Sequence, residues 1–254
     1  MFQTPKELRQ EIRKGNFKKP TSGLCPGYLQ ANLVMIEEKY AEKFEEFCKS
    51  NKEACPLIDI TETNKYESKL AKNSDLRTDL PKYRIYQKGI LIDEVENVTQ
   101  IVENYKMRCF LLGCSFSFED LLVQEKIPVR NIEEKKNVSM FITNLDCVSV
   151  ENFNTKLVVS MRPIPENLIE KTIELTEKCG IAHGKPVHIG NPDKIGIKDI
   201  FKPDFGDSVS IFENEKPCFW ACGVTCSLAA LSIKSDLVIT HSPGHMFVTD
   251  SKEV

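Results

Sequence analysis

Two stretches of this chain share one rhythm: an apolar run, a turn of small residues, then a second mostly apolar run. Cys109-Phe110-Leu111-Leu112 leads into Gly113-Cys114-Ser115 and on to Phe118, Leu121 and Leu122. Cys218-Phe219-Trp220-Ala221 leads into Cys222-Gly223-Val224-Thr225 and on to Leu228-Ala229-Ala230-Leu231. Short continuous apolar runs bounded by turns suit strands buried on both faces. Both stretches therefore predict strand, tight turn, helix. If the echo is structural, two helix N-termini lie along one edge of a sheet, where open α/β sheets bind ligands.

The rest of the pattern supplies further elements. Thr4-Pro5-Lys6-Glu7 is a helix start, with Thr4 as cap, Pro5 in the first turn and Glu7 completing a capping box. Leu8 and Ile12 give that helix a thin apolar face, and a loop follows over 16–27. Residues 31–36 predict a strand, and Tyr40, Phe44, Phe47 and Cys48 recur at helical spacing. Residues 56–60 predict another strand. Residues 77–86, ending at Gly89, mix charge and aromatics without clean periodicity, and 95–105 predicts a helix. From Val129 to Gly206 the texture changes. Strands are expected over 140–143, 157–161 and 186–189, and a helix from Pro165 through Leu168, Ile169 and Ile173, closed by Gly180. This region reads as a small α+β unit inserted into a larger fold. Near Pro217 the first texture returns. A last buried strand is expected over 237–240, with a loop after it.

Composition narrows the function classes. The 254 residues are 41% apolar, enough for one large domain or two modest ones with a core. The formal net charge is −3, from 34 basic and 37 acidic residues, so nucleic acid is not the expected partner. No apolar stretch approaches the roughly 20 residues of a membrane helix. The N-terminal residues 1–7 lack the apolar core of a signal peptide. A cytoplasmic protein with no membrane partner is expected. The ten cysteines form no CxxC pair, and most sit in apolar runs, where a thiol behaves as a small hydrophobe. Neither GxGxxG nor GxxxxGK[ST] nor GxSxG occurs, so no nucleotide cofactor is called for.

Candidate chemistry gathers at turns. The first-turn amides of a helix have no internal partner and suit a small anion such as a carboxylate. Gly113, Cys114, Ser115 and Ser117 stand at one such turn, and Cys222, Gly223 and Thr225 at the other. Cys114 could be a nucleophile activated by the helix terminus; Ser117 with Asp120 equally fits a capping box. Glu119 suits the helix dipole, or serves as acid or base if it faces a crevice. All four histidines fall in two loop-like strings, His183-Gly-Lys-Pro-Val-His188 and His241-Ser-Pro-Gly-His245. A metal set of His188, Asp193, His241 and His245 lacks any recognised ligand spacing, and none is expected. Arg162, between an apolar strand and Pro163, is placed to clamp a carboxylate or to pair on the surface. Arg77 and Arg84 are more easily read as structural.

The strings GYLQANL (27–33), RTDLPKYR (77–84), GCSFSFE (113–119), VVSMRP (158–163), HGKPVHIGNPDKIGI (183–197), PDFGD (203–207), FWACGVT (219–225) and ITHSPGHMFVTD (239–250) together resemble the D-glutamate cyclase family over nearly the whole chain. Cys226 stands where the family commonly has Pro, and 147–153 lacks a glycine expected before Phe153. The resemblance implies an α/β protein: a three-layer αβα domain with a mixed sheet, over 1–125 and 207–254, interrupted by a two-layer α+β domain over 126–206. It also implies a hydro-lyase closing D-glutamate to 5-oxo-D-proline without cofactor. On that reading Arg162 holds the α-carboxylate, and amides near Gly113–Ser115 and Cys222–Thr225 hold the γ-carboxyl oxygens. His188 or His241 moves protons, oriented by Asp250 or Glu119, and His183 and His245 complete the binding set. A Cys114 thioester is a variant. The rivals are a hydro-lyase for a different hydroxy acid and a non-catalytic carboxylate-binding protein. A homodimer is compatible with the sequence.

Overall fold

The computed structural model describes residues 2–21 and 23–252. Met1, Ser22, Glu253 and Val254, touched by the expected loop over 16–27 and by the expected domain limits, lie outside the described residues. Helix α1 (Pro5–Arg13) starts as its sequence predicts. Thr4 Oγ1 accepts the Glu7 N–H at 3.2 Å, and the Glu7 carboxylate accepts the Gln3 N–H at 2.9 Å. Then come β1 (Tyr28–Glu37), α2 (Glu38–Ser50), β2 (Leu57–Ile60), β3 (Tyr83–Gln87), β4 (Ile90–Val95), α3 (Thr99–Val102), β5 (Met107–Gly113) and α4 (Phe116–Gln124). Next are α5 (Arg130–Glu133), β6 (Ser139–Asp146), β7 (Lys156–Pro165), α6 (Ile169–Glu177) and β8 (His188–Ile189). Last are β9 (Glu215–Ala221), α7 (Val224–Ser232), β10 (Val238–His241) and β11 (Phe247–Lys252).

Strand β1 organises a seven-stranded sheet in the order β2-β5-β1-β10-β3-β4, with β11 also paired to β1. Successive strand residues face opposite sides. Val34 and Ile36 therefore join Phe110 and Leu112 under Phe44 and Phe47 of α2 and Ala229 and Ala230 of α7. Leu33 and Met35 join Cys109 and Leu111 on the other face, under Leu76, Leu80, Val98 and Val102. A second sheet runs β6-β7-β9-β8. Its inner residues Trp220 and Cys218 pack on Phe118 and Leu122 of α4. Among the described residues, no helix is long and apolar enough to cross a membrane.

The α/β character follows the apolar pattern, but four details differ from the sequence expectation. Every pairing among the described strands is antiparallel rather than mixed. An apolar run reports burial on two faces and is silent about direction. The helix expected over 95–105 is only the short α3, because Val95 is taken by β4 and pairs with Tyr83. The expected loop after residue 240 contains β11, which closes back onto β1. Finally, β9 belongs to the second sheet, beside β7, whereas β5 belongs to the first. The two strand–turn–helix units thus lie on different sheets, not along one edge.

Candidate active site at the seam of the two sheets

Asn32 is the polar residue in the middle of the apolar β1, and it sits between the two turns. Its Nδ2 donates to Gly113 O at 2.8 Å. The same amide lies against Gly223, where an added Cβ would be 2.3 Å from Asn32 Nδ2. Gly113 is pressed from another side: its Cβ would fall 1.6 Å from Ile181 O. Both glycines are therefore required by close approach rather than by backbone conformation.

In α4 the Ser117 N–H donates to Cys114 O at 3.1 Å, and in α7 the Thr225 N–H donates to Cys222 O at 3.0 Å. The amides of Ser115 and Gly223 come ahead of the first internal bonds of their helices, and those of Phe116 and Val224 face the sulfurs of Cys114 and Cys222. Both helix starts border one cavity of about 100 Å³, also lined by Asn32, Arg84, His183 and His241. Two positive dipole ends meeting there favour a negatively charged guest. Burial pushes the Cys114 thiol up to about 12 and the Cys222 thiol up to about 11, although the Phe116 and Val224 amides pull the other way. Neither is a thiolate near neutral pH.

Both histidines of the cavity are held by backbone. His183 follows the 3-10 turn Gly180–Ala182 in a left-handed conformation, φ 78°, with Nδ1 2.7 Å from Glu53 O. His241 ends β10, with Nδ1 accepting the Leu33 N–H at 3.2 Å. Burial brings each ring down to about 4, so both are neutral at pH 7.

Arg162 of β7 and Glu119 of α4 form a buried ion pair rather than an open clamp. The Arg162 side chain is fully buried, against the rings of Phe118 and Trp220. Its Nε donates to Glu119 Oε1 at 2.8 Å, and Nη2 donates to the same oxygen. Nη1 reaches Ser160 Oγ at 3.0 Å, and Nη2 reaches Ser115 Oγ at 3.1 Å. The charge thus touches the cavity wall only through Ser115.

Of the residues expected at the site, Cys114, Ser115, Cys222, Gly223, His183 and His241 line this cavity, with Gly113 directly behind. Others lie apart. Ser117 is inside α4 rather than capping it, and its buried Oγ has no hydrogen-bond partner. Thr225 Oγ1 accepts the Val158 N–H at 3.0 Å, tying α7 to β7. His188 bonds Asn191 O at 2.8 Å over the Phe219 ring, and His245 bonds Pro243 O at 2.8 Å. Both Asp250 oxygens sit 2.9 Å from Arg9 Nη2 on α1. Among the described residues, no three His, Cys, Asp or Glu side chains gather as a metal site.

Asn32 and Arg84 are among the cavity residues that had no part in the sequence-based site. Asn32 carried a signal, as an amide interrupting an apolar strand. Arg84 carried none that separates it from Arg77, and it is the guanidinium at the cavity, with Nε on Glu94 at 2.7 Å. A broader cleft of about 550 Å³ adjoins the cavity, sharing Phe116, Asn137, Pro243 and Gly244 and lined also by Glu119, Asn131 and Lys135. His183, His241 and both turn cysteines line the smaller space.

A family profile described as D-glutamate cyclase matches residues 109–250, which contain both turns and all four histidines. The chain is 49% identical over 250 residues to the "Putative hydro-lyase YcsI" of Bacillus subtilis (strain 168), covering 98% of this chain and 97% of that one. It is 50% identical over 250 residues to the "Putative hydro-lyase Teth514_1597" of Thermoanaerobacter sp. (strain X514), covering 98% and 94%. Among solved structures, a nitrogen repressor-like protein, MJ0159 from Methanococcus jannaschii, gives a TM-score of 0.41 at 9% identity over 97% of this chain and 98% of that one, too slight a likeness to bear on function. On the extent of the profile match and the near full-length identity to these relatives, the chain belongs to the D-glutamate cyclase family.

Proposed function

We propose that this protein is a hydro-lyase that closes D-glutamate to 5-oxo-D-proline with loss of water. The observation that carries the reading is the meeting of two helix N-termini at one small cavity that also holds two neutral histidines. The family supplies the reaction class; the cavity supplies the means. At about 100 Å³ it is below the size of pockets for drug-sized ligands and suits a short-chain acid.

Lactam closure needs the chain folded so that its amine meets its γ-carboxyl carbon, a proximity effect. It also needs donors for the oxygen that gains charge in the tetrahedral state. The Ser115 and Gly223 amides fill that role, and Arg84 offers a cation for the α-carboxylate. Arg162 supports the site from behind by fixing Ser115 and Glu119. No step requires nucleotide or nicotinamide.

The test is loss of D-glutamate and gain of 5-oxoproline, followed by chiral chromatography beside L-glutamate and an enzyme-free control. Stereoselective product supports the cyclase reading. Folded protein that leaves D-glutamate untouched overturns it and moves the search to other short carboxylic acids.

A further inference from the structure

The two cavity histidines are anchored by opposite backbone groups, and that fixes different protons on them. Glu53 O, 2.7 Å from His183 Nδ1, can only accept a hydrogen bond. That bond forms when Nδ1 carries the hydrogen, which leaves a lone pair on Nε2. His241 is the reverse. The Leu33 N–H, 3.2 Å from His241 Nδ1, donates, so Nδ1 presents its lone pair and the ring proton sits on Nε2. Leu33 O is also near that nitrogen, but farther, at 3.4 Å. Each ring therefore keeps Nε2 for a ligand, once as an acceptor and once as a donor.

We propose that His183 is the proton acceptor and His241 the fixed hydrogen-bond donor for carboxyl chemistry in this cavity. The assignment of roles rests on the reading of the cavity as the reaction site. In lactam closure the ammonium nitrogen loses two protons, and one γ-carboxylate oxygen gains both and leaves as water. The nitrogen lone pair forms the N–C bond, and the C–O bond breaks with its electron pair going to the departing oxygen. His183 Nε2 takes each proton from nitrogen and passes it to that oxygen, ending neutral. His241 keeps its Nε2 proton and donates a hydrogen bond to the other carboxyl oxygen as charge develops there. A neutral imidazole suits this donor role, since it polarises a carbonyl without giving up its proton. Nothing in the sequence separates the two rings, because both lie in loop strings with Gly and Pro nearby.

The test begins on the free, full-length protein labelled with 15N-histidine. The chain has only four histidines, so single replacements assign every ring. At pH 7.5 the ring correlations are expected to show His183 as the Nδ1–H form and His241 as the Nε2–H form. The same tautomer on both rings, or an imidazolium on either, overturns the proposal. Kinetics with D-glutamate supply the second arm. A glutamine amide can replace a donor but has no basic lone pair. His183→Gln should lose roughly 100-fold or more in kcat with little change in KM, the size of a lost proton-transfer group. His241→Ala should lose about 100-fold, the size of one lost oxyanion donor, and His241→Gln should recover most of it. His183→Gln with full kcat, or His241→Gln no better than His241→Ala, overturns the roles. Wild-type protein that shows the two expected tautomers but no turnover of D-glutamate defeats the cyclase reading and the assigned roles, while the tautomer pair stands.

Discussion

Asn32 and Gly223 occupy each other's space: the amide nitrogen of Asn32 lies where a side chain at 223 would begin. The same nitrogen donates to Gly113 O, so one side chain on β1 holds both helix starts in register across the seam. Gly223→Ala must push Asn32 off that bond. The expected cost is about 2 kcal/mol of stability, as for overpacking a filled site, with a larger fall in activity. Denaturant titration beside turnover checks this. A variant with native stability and activity would show that Asn32 is free to move.

Gly113→Ala should be worse than Gly223→Ala. Its Cβ meets the Ile181 carbonyl, which is backbone two residues ahead of His183. Backbone cannot rotate away as an amide side chain can, so the loss should reach about 3 kcal/mol or more. The His183 ring signal should shift as its loop is displaced.

Arg162→Met or Glu119→Leu alone should cost about 3–5 kcal/mol, because each leaves an uncompensated buried charge. The double replacement should be milder than the sum of the two. A double-mutant cycle by denaturant unfolding reads the coupling. Additive single effects would mean that the pair is not coupled.

Cys114 and Cys222 should react slowly with iodoacetamide at pH 8, since burial holds both as thiols with values of about 12 and 11. Intact-mass analysis of native against denatured protein measures this. Fast native labelling, or a hydroxylamine-sensitive acyl adduct after substrate, would restore the thioester route.

Acid should destabilise the fold through His183. Its native value of about 4 lies below the 6.5 of an exposed ring. As pH falls from about 6.5 to about 4, the unfolded chain takes up a proton that the ring of the substrate-free native protein does not hold, so stability is lost over that window. The loss is on the order of 3 kcal/mol for this ring. His183→Gln should flatten that part of the stability profile.

Much of the fold was legible in residue order. The capping box at Thr4–Glu7, the apolar face of α2 and both strand–turn–helix units are local patterns, set by hydrogen bonds and burial within a few residues. The β3–β4 hairpin was missed, although Lys88 and Gly89 both turn left-handed between the strands, at φ 51° and 80°. Its strand β4 exposes Ile90, Leu91 and Ile92, so it lacks the buried alternation that marks a strand. Part of the candidate site was legible for the same reason as the helices: Cys114, Ser115, Cys222 and Gly223 stand at turns that the local pattern defines.

The sequence alone determined that two glycine-bearing turns start helices and that the histidines stand close to glycine and proline. Only the tertiary structure decided that those turns belong to different sheets and meet at one cavity. It also decided that Arg162 is spent on Glu119, that His188 and Asp250 lie elsewhere, and which ring nitrogen each cavity histidine leaves free. The reason is physical. Helix starts and turns are settled by neighbours in the chain, whereas the partner of a buried charge or ring is settled by what long-range packing brings beside it. Glu53 and His183, or Leu33 and His241, are 130 and 208 residues apart in the chain and a hydrogen bond apart in the fold.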